Sequence, residues 1–69
     1  MRRVGPSELK EVRGVLQMTQ AEFARAFGLS LRTYQKWESG EKSPSGPATM
    51  FMRLIIKDPH GVLKALSDG

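Results

Sequence analysis

The chain has 69 residues and no cysteine, and its eleven lysines and arginines against seven acidic residues give a formal net charge of +4. That length allows one small domain, the missing thiols exclude a disulfide framework and thiolate chemistry, and no apolar run approaches the roughly 18 residues a membrane span requires. A sequence pI near 10.0 favours a polyanionic partner, a trait shared with ribosomal and membrane-surface proteins, and the N-terminus lacks a hydrophobic signal core, so a cytoplasmic, nucleoid-associated protein is expected.

Pro6-Ser7 opens a first helix with Leu9, Val12 and Leu16 on one face at spacings of three and four. Gly14 interrupts it, at about 1 kcal/mol relative to alanine, either because another helix packs closely there or because the pattern is imperfect. Thr19 and Glu22 form a capping box for a second helix, from about Gln20 to Phe27, which turns Phe23, Ala24 and Phe27 inward and Glu22, Arg25 and Ala26 outward. Gly28 stops that helix, and Ser30 supplies the N-cap of a third. There Tyr34 and Trp37 share the inner side, which suits core packing better than a stacking platform, and Arg32, Thr33, Gln35 and Lys36 face outward. Ser39 to Pro47 is a turn-rich loop. A fourth helix, from about Pro47 to Lys57, places Phe51, Leu54 and Ile55 on the core side. Met50, Met52 and Ile56 lie off that stripe, as peripheral core or, by a slight preference, a self-association surface. Asp58-Pro59 starts a fifth helix, on which Val62, Leu63 and Leu66 close the core. With no strand alternation and no repeat, the fold class is all-α.

Two short helices joined by a glycine turn, the second carrying cationic side chains, have the grammar of a DNA-reading helix-turn-helix. Arg32 and Lys36, one turn apart, lie on faces that could meet either solvent or DNA. Thr33 divides evenly between a DNA contact and mere tolerance of the first helical turn, and Arg2 and Arg3 between an arm on DNA and the commoner solvated terminus. His60 has no second ligand or nucleophile at a useful spacing, the acidic residues form no catalytic pair, and no loop cradles phosphate. No metal, cofactor or turnover is expected.

The residues Thr19-Gln-x-x-Phe-Ala-x-x-x-Gly-Leu-Ser, with Tyr34, Trp37-Glu-x-Gly40 and Pro44, resemble the Cro/cI-like (XRE) helix-turn-helix family over most of the chain. Ser-Leu-Arg-Thr-x-Gln-x-Trp-Glu-x-Gly, Pro-x-Gly-Pro-Ala and the closing Asp-Pro-x-x-Val-Leu-x-Ala-Leu look most like HigA-type antitoxins. The resemblance implies a five-helix lambda-repressor-like domain over residues 1–69, a double-stranded DNA operator and a homodimer on an inverted repeat. It also implies, as an alternative main task, neutralisation of a RelE/HigB-like toxin. Only Met1 to Gly5 precede the first helix, so a toxin-wrapping segment is not evident; another surface would serve, or the chain is a shortened member.

Carried over residue by residue, Gln20 grips a phosphate and braces the recognition helix, and Arg32 and Lys36 reach base edges. Leu31 departs from the glutamine often found there; it divides between a thymine-methyl contact and a cap over the core edge. Arg13 and Glu38 match an internal salt bridge. Ser39, Lys42 and Ser43 lie where the loop meets the sugar-phosphate backbone, and Thr19 and Gln35 are placed on the backbone as well.

Overall fold

Helices α1 (Pro6–Leu16), α2 (Gln20–Ala26), α3 (Leu31–Ser39), α4 (Pro47–Lys57) and α5 (Pro59–Asp68) follow one another in a computed structural model that describes residues 4–68. No strand occurs among the described residues, and the expected arm at Arg2 and Arg3 lies outside them. The boundaries follow from local chemistry. Thr19 Oγ1 accepts from the Glu22 N–H at 3.1 Å while the Glu22 carboxylate accepts from the Thr19 N–H at 2.8 Å, so the first turn of α2 is tied at both residues. That backbone donor holds the Glu22 carboxyl below its ordinary value. Ser30 Oγ accepts from the Thr33 N–H at 3.3 Å and starts α3. Between them, Gly28 takes φ +70°, a left-handed backbone that lets the Leu29 N–H reach the Ala24 carbonyl at 2.8 Å and close α2.

The core is built around aromatic contacts between α2, α3 and α4. Phe23 stacks on Tyr34 with ring centroids 4.8 Å apart, touches Phe27 at 4.6 Å, and Phe27 meets Phe51 edge-on at 6.3 Å. Val4, Leu9 and Val12, with Ala24, Trp37, Met52, Ile55 and Val62, complete the buried cluster. Leu16, Phe51 and Leu63 are half-buried against it.

Three residues on α4 and α5 depart from the expected pattern. Leu54, expected in the core, is 55% exposed, whereas Met52, expected at the periphery, is fully buried. Stripes through 51, 54 and 55 and through 48, 52 and 55 both have helical spacing, and packing selects the second: Met52 and Ile55 are buried in the core and Ala48 packs against it. Leu66, also expected in the core, is 48% exposed: α5 packs through its first turns, and Leu66 lies beyond the last of its buried positions, Val62. Val4 and Pro44 are buried without having been expected, and Ala26 is half-buried rather than outward.

A Cβ at Gly14 would meet no atom within 4 Å, so no close approach demands the glycine. Gly14→Ala is therefore expected to stabilise the domain by about 0.5–1 kcal/mol, because α1 keeps its geometry and the unfolded chain loses freedom. A urea midpoint that falls instead of rising contradicts this.

Candidate nucleic-acid interface

Helix α3 carries two opposed faces. Inward, Tyr34 is fully buried and Trp37 nearly so; outward, Leu31, Arg32, Thr33 and Gln35 are exposed and Lys36 half-exposed. Arg32 and Lys36 are four residues apart, so their side chains rise from the same strip of surface. With its side chains an α-helix is about 10–12 Å across, a fit for a major groove about 12 Å wide. The left-handed Gly40, φ +84°, ends the helix by returning its N–H to the Trp37 carbonyl at 3.3 Å.

The angle of α3 against the rest of the domain is set by one charge network. Arg13 on α1 donates from Nε and Nη2 to the two oxygens of Glu38 on α3, each at 2.8 Å, a fork-to-fork pair. Its Nη1 also donates to the Met18 carbonyl at 3.1 Å, fastening the turn between α1 and α2. Gln20 at the start of α2 donates from Nε2 to Glu38 Oε1 at 3.2 Å. Glu38 is thus buried yet engaged: burial pushes its carboxyl up, but the hydrogen bonds it accepts, chiefly from Arg13 and also from Gln20, outweigh that and hold it at about 2. Burial first, and then the nearby Glu38 carboxylate, push the Tyr34 phenol well above its ordinary value, and the phenol donates to the Leu9 carbonyl at 3.4 Å.

One contact was not legible in the sequence. Leu31 has no amide to pair with Gln20, but Gln35, one turn later, does: its Nε2 donates to Gln20 Oε1 at 3.2 Å. A hydrogen-bonded chain therefore runs from Arg13 through Glu38 and Gln20 to the exposed Gln35. Downstream, Ser39 Oγ donates to the Lys36 carbonyl at 3.0 Å and accepts from the Glu41 N–H at 3.3 Å, while the Lys42 N–H bonds the same Lys36 carbonyl at 3.2 Å. These bonds fold the loop against the end of α3 and leave the side chains of Lys42 and Ser43 exposed. Glu41 lies 3.8 Å from the Lys36 ammonium, a loose pair in solvent. At the other end, Thr19 is exposed, and its hydroxyl accepts from the Glu22 N–H.

Two capped helices joined by a glycine turn, the second braced from behind and cationic in front, define a helix-turn-helix DNA-binding domain. Residues 9–48 match the family model described as Helix-turn-helix, and the chain belongs to that family, within its XRE branch. It is similar to an HTH XRE-family like protein from Agrobacterium tumefaciens, with a TM-score of 0.77 at 36% identity, covering 86% of this chain and 95% of that one. It is also similar to the antitoxin HigA-2 of Vibrio cholerae, 32% identical over 57 residues, which are 83% of this chain and 55% of that protein. A third relative is the type II methyltransferase M.SsoII of Shigella sonnei, 54% identical over 41 residues, 55% of this chain and 11% of the enzyme. The chain therefore spans about half of one curated relative and about a ninth of the other.

Proposed function

We propose that this domain is a sequence-specific transcriptional regulator, a repressor or autorepressing antitoxin, that sets α3 into the major groove of duplex DNA. The observation that carries this reading is the outward set of exposed Leu31, Arg32 and Thr33 with half-exposed Lys36, on a helix whose opposite face is locked by Tyr34, Trp37 and the Arg13–Glu38 pair. Arg32 and Lys36 read base edges, Thr33 sits at the groove's entrance, and Leu31 offers a methyl contact to thymine. Thr19, Gln20, Lys42 and Ser43 grip phosphates and set register. Ser39 joins them only by releasing the Lys36 carbonyl, so its main part is to shape the loop. The domain performs no catalysis of its own and works in the cytoplasm at the nucleoid; no helix among the described residues is long and apolar enough to cross a membrane.

The domain acts as a homodimer, with half-sites about 34 Å apart on an inverted repeat. Val4, Met50, Leu54 and Ile56 line a groove between α1 and α4, edged by Glu8 on one side and Arg53 and Lys57 on the other. A two-fold axis would set this apolar groove against its copy. Leu54→Glu is expected to leave a monomer in sedimentation and to weaken operator binding; an unchanged dimer mass contradicts this interface.

The likeness to HigA-2 favours a second reading, in which a RelE/HigB-like toxin is the partner and DNA binding is shared with neutralisation. Selection of bound duplexes from a random pool at physiological salt tests the main reading: enrichment of one inverted repeat supports it, and recovery of random sequence refutes it.

A further inference from the structure

We propose that Gln35 reads an adenine in the major groove, with its amide polarity imposed by a hydrogen-bond relay that begins at the buried Glu38. The inference rests on the DNA-binding reading above and deepens it. A carboxylate has only acceptors. Because Glu38 Oε1 takes a hydrogen from Gln20 at 3.2 Å, the Gln20 NH2 must face α3's buried carboxylate, which leaves Gln20 Oε1 on the other side. That oxygen takes a hydrogen from Gln35 Nε2 at 3.2 Å, so the Gln35 NH2 in turn faces Gln20 and its Oε1 is directed away. A free glutamine amide flips at little cost and presents either end; here every flip breaks a bond that leads back to a buried anion.

Gln35 is exposed, and after serving Gln20 it retains one N–H and a whole carbonyl oxygen. An acceptor beside a donor is complementary to adenine, whose N6 donates and N7 accepts. Guanine presents two acceptors on that edge, O6 and N7, and would oppose the fixed oxygen. Leu31 lies four residues before Gln35 on the same strip of α3, which places an apolar side chain where a neighbouring thymine methyl could be covered. The sequence suggests a backbone contact for Gln35, but a phosphate has only acceptors and calls for the N–H end of the amide, whereas the relay commits one N–H to Gln20 and directs the carbonyl oxygen outward. Gln20 is a positioning residue in this scheme.

The test compares selection from a random duplex pool for the wild-type protein, Gln35→Ala and Gln20→Met, with helicity checked by circular dichroism. The wild type is expected to prefer adenine at one position in each half-site. Gln35→Ala should lose that preference, about tenfold over guanine, while preferences elsewhere persist. Gln20→Met frees the amide to turn and should lower adenine-over-guanine discrimination at that same position. If Gln35→Ala weakens binding equally for all sequences or leaves every preference intact, the base-reading role is overturned and the DNA-binding reading stands. If Gln20→Met leaves the discrimination unchanged, the relay is overturned. If the wild-type protein selects no sequence at all, the DNA-binding reading itself fails.

Discussion

Arg13→Ala is expected to destabilise the domain by about 3–5 kcal/mol, enough to unfold much of a protein this small at 37 °C. The loss comes less from the attraction removed than from the anion left behind. Glu38 is 3% exposed and cannot turn to water, and without the guanidinium its carboxylate keeps chiefly the Gln20 amide. The reverse change should cost less: in Glu38→Gln the orphaned Arg13 side chain, 25% exposed, can rotate toward solvent. The sign of the acid response follows from the same pair. A carboxyl held at about 2 in the folded chain and near 4.5 unfolded contributes stability that is whole above pH 4.5 and is lost as pH falls towards 2. Wild-type melting temperature should therefore decline through that window, and Arg13→Ala should lack this share of the decline because burial alone pushes the carboxyl up. Equal, small losses in both variants at every pH would show that the pair does not anchor α3.

Arg32→Ala is expected to reduce affinity for the selected operator by about 1–3 kcal/mol and to relax base preference at one position. Arg32 is exposed, hydrogen-bonds nothing among the described interactions that fix α3, and so can be removed with the fold intact. Lys42→Ala should behave differently, weakening operator and random duplexes alike and lowering the salt slope by about one, as an ammonium on the backbone would. Titrations on both duplexes at two salt concentrations separate these outcomes. Equal losses on operator and random DNA for Arg32→Ala would place that guanidinium on phosphate.

The elements that carry the domain are written locally and could be read in order. Thr19 with Glu22, Gly28 and Ser30 are start and stop signals whose partners lie within a few residues, and each makes the bond its position predicts. The inward placement of Tyr34 and Trp37 follows from helical spacing alone. What was not legible depends on neighbours distant in sequence. The rotation of α4 that buries Met52 and exposes Leu54 is decided by its packing on the other helices, since the alternative stripe is equally periodic. Gln17, which ends α1 with a left-handed φ of 56°, is not a glycine and gave no signal. The Gln20–Gln35 bond spans fifteen residues and exists only because α2 and α3 meet at a particular angle. A glutamine on an exposed face otherwise looks like any solvated polar residue.

Methylation protection on the selected operator tests most directly whether α3 enters the major groove. Dimethyl sulfate attacks guanine at N7, on the major-groove edge, and adenine at N3, in the minor groove. Bound protein should shield guanine N7 in both half-sites and leave adenine N3 there reactive. Guanine N7 atoms that stay fully reactive across a saturated site, with protection confined to adenine N3, would contradict it.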